Sequence, residues 1–489
     1  MINPGMKPRS GGVASRAMCA SALAITVVAG CGGDGSGSAA RGQTSWVQHW
    51  NQIAIDASGL DHTPVAPGEN RVFGEQVGPA RAARAVAIAQ IAVFDAINAI
   101  DGRYRGYTDL APAPGASMKA AIAQASYATL SQLFPSQAAT MASYKEKDLA
   151  SIEDGAAKDE GIALGQRAAD AILAMRAEDG SAAPEPRYGI DYVASDEPGY
   201  WRQDPISLHP LALGAGWWQV RPFVIPSADS FRVPPPPAMD SAEYAAAFAE
   251  VQSLGGDGLI TPTVRTEEET QIGIYWAYDG MPSLCAPPRL YNQIATQIAD
   301  QMGSDIVELA RLLALVNVSM ADAAVAGWES KYHWAVWRPV TGIREADEGT
   351  GPTGLGDGNP DTAGDVNFTP LGAPASNEAG VDFTPPFPAY PSGHATFGGA
   401  LFETLRLFYG TDDIPFTFVS DEFNGETVDS QGNVRELIPR SFSSLSQAEE
   451  ENGQSRIYLG IHWAFDKTEG IAQGRRIAQY VADNILQPR

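Results

Sequence analysis

Residue types that carry chemistry gather in three short segments near the C-terminal end of this 489-residue chain. The first reads K-Y-H-W-A-V-W-R-P and contains Lys331 and Arg338. The second is P-S-G-H, which ends at His394, and the third is S-R-I-Y-L-G-I-H, which contains Arg456 and His462. Cationic side chains combined with imidazoles are typical of a site that binds an oxyanion and moves protons.

The P-S-G-H segment follows the proline-rich stretch F-T-P-P-F-P-A-Y-P at residues 383–391. Its prolines fix φ and withhold backbone donors, which predicts an extended approach rather than the interior of a helix or central strand. An apolar run with helical periodicity follows, and Ser392 is its predicted N-cap. A serine hydroxyl, the N–H of Gly393 and the imidazole of His394 at a helix N-terminus predict an anion-binding cradle with a proton-transfer group at its rim.

The other two segments are predicted to converge on the same anion. Lys331 and Arg338 are seven residues apart, so a continuous helix of two turns would place both on one face, where they can grip one oxyanion. Arg456 and His462 are predicted to close a helix that begins near residue 441, and they meet only through the length of the arginine or at a helix end. Taken singly, each pair is more often an ordinary solvated surface.

The elements that must position these residues are predicted to be almost entirely helical. Alanine-rich and apolar periodicity indicates helices, and alternating strand patterns are scarce. The predicted fold class is therefore mainly α, a large helical bundle. The predicted helices cover residues 44–62, 80–100, 115–133, 136–151, 155–177, 241–253, 264–280, 289–303, 304–333, 393–408, 441–461 and 467–486.

The predicted helical body spans residues 45–489 and divides into three parts. N-terminal helices occupy 45–180, and an irregular segment rich in proline and tryptophan occupies 180–240. The part with the three chemistry-bearing segments occupies 241–489. With 33 basic and 58 acidic residues, the chain has a net charge of −25, which argues against a nucleic-acid-binding or anionic-lipid-binding surface.

The N-terminus resembles a bacterial lipoprotein signal. Three basic residues precede an uncharged stretch at residues 17–33, which ends in small residues around Cys31. The resemblance implies that residues 1–30 are removed, that Cys31 carries a lipid, and that residues 31–44 form a flexible tether. The chain is then exported and anchored on the periplasmic or cell-surface side of a membrane. A signal cleaved elsewhere, or a disordered start, is the alternative.

Two further expectations concern the body of the chain. No later segment is expected to have the apolar length of a membrane helix. Of the three cysteines, Cys19 leaves with the signal and Cys31 carries the lipid, so Cys285 is the one that stays in the body. A disulfide framework is therefore excluded there, and Cys285 is interpreted as a core thiol.

In this order, K-x6-R-P, P-S-G-H and S-R-x5-H resemble a signature shared by three groups of proteins: type 2 phosphatidic acid phosphatases, bacterial class A acid phosphatases and vanadium-dependent haloperoxidases. Further segments resemble the haloperoxidase branch, particularly its chloroperoxidase type. They are A-V-F-D-A-I-N-A-I at 92–100, Y-W-A-Y-D-G at 275–280, P-P-R-L-Y-N-Q-I at 287–294 and S-R-I-Y-L-G-I-H-W-A-F-D at 455–466. The resemblance covers most of the chain from residue 45 onward and is least clear over 180–240.

The resemblance implies a vanadate cofactor bonded to the protein through His462, with His394 as the acid or base beside it. It also implies that vanadate oxygens are neutralised or hydrogen-bonded by a set of surrounding groups, and that Lys331 polarises the O–O bond of the peroxide. These oxygen-binding groups are Lys331, Arg338, Ser392, Gly393 and Arg456. Asp279 is implied to pair with Arg456, and Trp328 and Phe387 to line the halide side.

The implied activity is oxidation of a halide by hydrogen peroxide to hypohalous acid. Phe387 favours chloride, because related bromoperoxidases often carry histidine there, although members restricted to bromide or iodide also have the phenylalanine. An organic acceptor and a homo-oligomer are compatible with this assignment. The alternative is an acid phosphatase that uses the same site, with His462 as nucleophile and His394 protonating the leaving alcohol. A lipoprotein that only binds an oxyanion is the third hypothesis.

Overall fold

The computed structural model describes the backbone of residues 35–489 and the side chains from residue 44 onward. The predicted signal peptide at 1–30 and the lipid site at Cys31 lie outside the described residues. Helix α1 (Gly35–Asp61) begins inside the segment 31–44 that composition predicted as a flexible tether.

Thirteen α-helices make up about half of the described part of the chain, twelve of them where the periodicity predicted helices and one, α10, that was not predicted. After α1 they are α2 (Pro79–Asp101), α3 (Met118–Leu133), α4 (Ala138–Ala150), α5 (Ala156–Arg176), α6 (Ala242–Leu254), α7 (Glu267–Tyr275), α8 (Pro287–Gln301), α9 (Ile306–Trp334), α10 (Pro339–Arg344), α11 (Gly393–Tyr409), α12 (Leu445–Tyr458) and α13 (Ala464–Asn484). The mainly α fold class is thus confirmed. The segment 180–240 contains no α-helix and only two short 3-10 turns, Trp217–Gln219 and Ala228–Phe231.

Helix α9 is the centre of the bundle. It packs against α2, α11 and α13, and nearly all of its side chains are buried. Both α2 and α9 are long and apolar enough to span a membrane, contrary to the expectation that no such segment exists. Their apolar windows are 89% and 94% buried inside the protein, so their hydrophobicity is accounted for by the core of the bundle.

Helices α11 and α13 touch backbone to backbone. A Cβ added at Gly474 of α13 would lie 2.1 Å from the carbonyl oxygen of Thr396 on α11, and one at Gly470 would lie 2.9 Å from that of Ser392. A side chain at either glycine would therefore force the helices apart. This contact fixes the start of α11, where the P-S-G-H segment lies, against the start of α13.

A β-hairpin that the sequence did not predict follows α11. Strands β1 (Phe416–Asn424) and β2 (Leu437–Phe442) pair antiparallel, with Phe416 opposite Phe442. The hairpin supports the turn after α7, because the Tyr275 hydroxyl donates to the Phe418 carbonyl at 2.8 Å. Because β2 occupies residues 437–442, α12 begins at Leu445 and not at residue 441 as predicted.

The free thiol of Cys285 lies in the core, as predicted. The residue is 1% exposed, and its Sγ lies 2.9 Å from the Ser58 hydroxyl oxygen. Cys285 is the single cysteine in the part of the chain that the structure describes, and it is not in a disulfide.

Candidate functional site

His462 lies in the short connection between α12 and α13, and both of its ring nitrogens are engaged. Its Nδ1 lies 2.7 Å from the Asp466 carboxylate, one turn into α13, and its Nε2 lies 2.9 Å from an Arg338 guanidinium nitrogen. Because a guanidinium can only donate, Nε2 accepts this hydrogen bond and Nδ1 carries the proton given to Asp466. The arrangement holds a neutral imidazole with its Nε2 lone pair directed at a cationic neighbour.

Lys331, in the last turn of α9, and Arg338, at the start of α10, approach this imidazole, but they are not on one helix as the spacing predicted. Helix α9 ends at Trp334, and Ala335 follows in the left-handed conformation with φ 50°. Arg338 is the N-cap of α10, and Pro339 occupies the first position of that helix. The prediction of a shared helical face was wrong, because the chain turns between the two residues, yet both side chains still reach the site.

The proline-rich approach wraps around these two cations. Lys331 is fully buried, and its ammonium donates to the carbonyls of Pro388, Ala389 and Pro391. Arg338 is 1% exposed and donates through Nε to the Phe387 carbonyl at 2.9 Å. Carbonyl acceptors supply hydrogen bonds without a full negative charge. Burial, and then the nearby Arg338, lower the pKa of Lys331 well below its ordinary value.

Arg456, in the last turn of α12, is the third buried cation. Its Nη2 donates to both oxygens of the Asp279 carboxylate, at 2.6 and 2.8 Å. Its Nε and Nη1 are buried and have no partner. Burial raises the pKa of Asp279, while the pairing with Arg456 opposes that shift. Unpaired buried donors are costly, so these two N–H groups indicate that an acceptor binds here.

The charges around Lys331, Arg338 and Arg456 also indicate that an anion binds among them. Within the part of the chain that the structure describes, Asp279 is the single carboxylate that forms an ion pair with any of Lys331, Arg338 and Arg456. The carboxylate of Asp466 lies further off, on the far side of the His462 ring, and burial raises its pKa to about 7. Buried cations without counter-charges are unfavourable. An anion with several oxygen atoms fits the space among them.

The P-S-G-H segment supplies the predicted helix N-terminus. Ser392 is the N-cap of α11 and its side chain accepts from the backbone N–H of Ala395, which leaves the hydroxyl proton free to donate. The ideal Cβ position at Gly393 lies 3.4 Å from the Trp328 ring and 4.0 Å from a Lys331 carbon, so a side chain there would point toward these two site residues.

His394 is 6% exposed and is held by backbone contacts. Its Nε2 lies 2.5 Å from the Ala277 carbonyl, so Nε2 carries a proton and Nδ1 holds the lone pair of the neutral ring. Burial, and then Arg456, lower the pKa of His394 well below 6.5. Tyr291 and Asn452 both donate to the His394 carbonyl. The His394 ring is therefore held in one orientation as a neutral imidazole.

Two aromatic side chains flank the cations. The Trp328 and Phe387 rings lie 5.1 Å apart between centroids. The Lys331 ammonium lies 4.9 Å from the centroid of the Phe387 ring, and the Arg338 guanidinium carbon lies 5.1 Å from the same centroid. Phe387 therefore contacts both cations through its π-system while presenting an apolar wall.

All ten sequence-predicted site residues lie in one region. Seven of them line a single cavity of about 410 Å³: Asp279, Trp328, Phe387, Gly393, His394, Arg456 and His462. The other three are joined to it by direct contacts described above: Arg338 through His462, Lys331 through the carbonyls of the proline-rich approach, and Ser392 at the start of α11. Their individual roles are predictions that the contacts support.

Sequence reasoning missed three contributors to this site. Asp466 fixes the His462 ring, and its position four residues later at a helix start was a usable signal. The carbonyl of Ala277 orients His394, and the carbonyl of Leu213 accepts hydrogen bonds from Trp328 and Tyr332. These two contacts use backbone carbonyls, which every residue has, so the sequence gives no signal for them.

The donor set suits an oxyanion that is also bonded to one protein nitrogen. A lone pair on the Nε2 of His462, two unpaired N–H groups of Arg456 and the hydroxyl of Ser392 converge from different elements. Imidazole is a good ligand for an oxidised metal centre, and guanidinium and ammonium groups balance the charge of its oxygens.

Comparison with known proteins gives consistent results. A family model described as the VCPO second helical-bundle domain matches residues 311–488. The vanadium chloroperoxidase of Curvularia inaequalis is 30% identical over 508 aligned positions, covering 86% of this chain and 79% of that protein. Among solved structures, a bacterial vanadium-dependent iodoperoxidase superposes with a TM-score of 0.70 at 24% identity, covering 91% of this chain and 97% of the other. A holo-type bacterial vanadium-dependent chloroperoxidase gives 0.62 at 13% identity, covering 86% and 94% of the two chains.

Proposed function

This chain belongs to the vanadium haloperoxidase family, and we propose that it oxidises a halide with hydrogen peroxide to hypohalous acid at the site around His462. The observation that carries the proposal is the fixed His462 tautomer, with Nδ1–H on Asp466 and the Nε2 lone pair directed into a cluster of buried cations. The overall reaction is X⁻ + H₂O₂ + H⁺ → HOX + H₂O. Halide loses two electrons, and the O–O bond of peroxide accepts them and breaks.

The residues present fit vanadate. His462 would bond the metal through Nε2, while Arg338, Arg456 and Lys331 would balance the charge of the oxygens. Ser392 and the N–H of Gly393 would add hydrogen bonds at the start of α11. When bound, vanadate supplies a Lewis-acid centre that activates peroxide toward attack by halide without changing its own oxidation state.

The remaining work falls to side chains of this chain. His394 holds a lone pair on Nδ1, so it can take the proton that hydrogen peroxide loses on binding. Lys331 places a positive charge near the bond that breaks, and its burial strengthens that effect because little water screens it. Trp328 and Phe387 provide an apolar side on which a halide loses hydration. Chloride is the proposed halide because Phe387 resembles the residue at this position in chloroperoxidases.

The first test is reconstitution. Protein freed of metal and then given orthovanadate should gain halide oxidation with hydrogen peroxide, measured for chloride, bromide and iodide in turn. Vanadium bound per chain, from elemental analysis, should rise in parallel. Vanadium-loaded protein with no turnover of any halide would contradict the proposal, and hydrolysis of an aryl phosphate by the metal-free protein would support the phosphatase alternative.

A second prediction concerns Asp466. Replacing Asp466 by alanine removes the acceptor that orients His462, and we expect vanadate affinity to fall about 10- to 100-fold, the range typical of such indirect partners. Affinity is measured by equilibrium dialysis against orthovanadate. Asp466→Asn keeps an oxygen that can accept from Nδ1–H and should recover part of the loss. Equal affinity in wild type and Asp466→Ala would contradict the role assigned to this carboxylate.

A further inference from the structure

Tyr278 lies between two residues that hold parts of the site in place. On one side of it, the Ala277 carbonyl accepts from Nε2 of His394 at 2.5 Å. On the other side, the Asp279 carboxylate accepts two hydrogen bonds from Arg456, at 2.6 and 2.8 Å. The imidazole and the guanidinium, which come from different helices, are therefore both held by the immediate neighbours of one tyrosine.

The backbone of Tyr278 is unusual for a large residue. It lies in the middle of residues 277–279, which we call the linking segment, and its φ is 46°, in the left-handed region that favours glycine. Such a conformation persists only where surrounding contacts fix it, and positions of this kind cluster at functional sites. Glycine would adopt this φ without steric cost. The tyrosine therefore indicates that its side chain contributes something that glycine could not.

The side chain of Tyr278 anchors the linking segment to the β-hairpin and to α8. Its hydroxyl accepts from the Asp421 N–H on β1 at 2.6 Å and donates to Oε1 of Gln293 on α8 at 3.3 Å. Gln293 in turn donates to the Asp421 carboxylate at 3.0 Å. The three residues form a closed ring of hydrogen bonds, and Tyr278 is fully buried, so the hydroxyl has little freedom to move.

The backbone around the linking segment is tied to the same hairpin. The Tyr278 N–H donates to the Glu422 carboxylate at 3.4 Å, and Glu422 is itself fixed by an ion pair with Arg435. Just before the segment, the Tyr275 carbonyl accepts from the Ser420 hydroxyl at 2.6 Å. The hairpin contains none of the predicted site residues, yet it determines where the linking segment lies.

We propose that Tyr278 is a positioning residue of the reaction, whose hydroxyl fixes the linking segment and thereby orients His394 and Arg456. This inference rests on the proposed haloperoxidase function and adds a residue that acts on the reaction through its two neighbours in the chain. Without the hydroxyl the ring can still pack, but the linking segment is free to shift relative to β1. Such a shift moves the partners of an imidazole and a guanidinium at the same time.

The first test reads the His394 ring in the metal-free protein. NMR of isotopically labelled histidine distinguishes the two neutral tautomers, and the His394 signals are assigned by their absence from His394→Ala. We expect the wild type to show one tautomer, with the proton on Nε2, and Tyr278→Phe to show a mixture of the two. A single, unchanged tautomer in Tyr278→Phe would overturn the proposal.

The second test separates positioning from stability. We expect Tyr278→Phe to lower kcat by about fivefold to 100-fold, because a misplacement of about 1 Å can cost about 100-fold. Vanadate affinity, measured by dialysis, should fall about tenfold, the lower end of the range typical of residues that orient a binding group. Wild-type values of both quantities in Tyr278→Phe would contradict the positioning role.

Tyr107→Phe is the matched control for this variant. Its hydroxyl donates to the Phe223 carbonyl at 2.8 Å, and Tyr107 does not line the cavity. The control loses one hydrogen bond of a tyrosine hydroxyl, as Tyr278→Phe does, and it should keep the wild-type kcat, vanadate affinity and His394 tautomer. Midpoints of thermal unfolding for both variants show how much of any effect comes from lost stability.

A double variant shows whether Tyr278 acts through His394. At saturating vanadate, Tyr278→Phe should cost little further rate in a His394→Ala background, because the ring that it positions is no longer there. Losses that multiply in the double variant would mean that Tyr278 acts independently of His394, and they would overturn the proposed route. If Tyr278→Phe folds poorly, Gln293→Leu opens the same ring of hydrogen bonds from α8 and should also give a mixture of His394 tautomers.

Failure of this inference is separable from failure of the proposed function. If the wild type oxidises iodide, and Tyr278→Phe matches it in tautomer and kcat, the positioning role is overturned while the proposed function stands. If vanadium-loaded wild type leaves chloride, bromide and iodide all unoxidised, the proposed function fails. The NMR comparison needs neither vanadate nor turnover, so it still decides whether Tyr278 fixes the His394 ring.

Discussion

Replacing His462 by alanine is expected to abolish vanadate binding and halide oxidation together. In the structure the Nε2 of this ring accepts a hydrogen bond from Arg338, and no other imidazole among the described residues has this contact. Loss of the ring would remove the proposed bond to vanadium while the cations stay in place, so any vanadate that still bound would be held only as a counter-ion. We expect turnover to fall at least about 100- to 1,000-fold, the loss typical when one essential electrostatic contact is removed.

The control for this variant lies in the same sequence motif as Lys331. His333 is exposed, and its ring packs edge-on against Trp334 at 4.6 Å between centroids. His333→Ala should keep vanadium content and halide oxidation close to wild type. Vanadium content is measured by elemental analysis after gel filtration, and helical content by circular dichroism. Full vanadium occupancy in His462→Ala would show that the metal is bonded elsewhere.

Replacing His394 by alanine should have a different signature: catalysis is lost while the cofactor stays. The ring touches the Ala277 carbonyl through Nε2, and the other nitrogen is available as a base. General acid–base groups typically contribute about 10²- to 10⁴-fold to rate, and we expect a fall in kcat in that range. Vanadate affinity, measured by dialysis, should change only a few-fold.

A conservative variant sharpens this second prediction. His394→Gln can still donate to the Ala277 carbonyl and fill much of the space, but its amide cannot act as a base at neutral pH. It should therefore be as slow as His394→Ala. Recovery of most of the wild-type rate in His394→Gln would mean that the residue only supports the packing around α11, and that proton transfer uses another group.

The helical frame and the membership of the site were predictable from sequence, whereas parts of its geometry were not. Repeating apolar residues located α2, α9, α11 and α13 to within a few residues, since helix periodicity is a local property. The placement of Lys331 and Arg338 on one helix failed at Ala335. A signal for that break was present in the sequence, because Pro339 disfavours helical backbone at the residue before it.

Other features depend on contacts between distant segments. The β-hairpin was missed because Pro439 lies within β2 and Val419 breaks the alternation of apolar and polar residues in β1, although Thr417 does separate Phe416 from Phe418. The Leu213 carbonyl bonds Trp328 from a position 115 residues earlier in the chain. This hydrogen bond depends on the direction of the backbone at residue 213, so the type of residue at that position does not predict it.

The backbone contact between α11 and α13 has a consequence for how the site is assembled. Ser392 opens α11 and Asp466 lies in the first turn of α13, and the Ser392 N–H donates to the Asp466 carbonyl at 2.9 Å. At Gly470 and Gly474 the main chain of α13 comes close to the main chain of α11, so the spacing between Ser392 and Asp466 is set there by backbone, which cannot relax by changing rotamers. A larger residue at Gly470 or Gly474 would therefore change the distance between the start of α11 and the start of α13, and with it the position of His462 relative to Ser392.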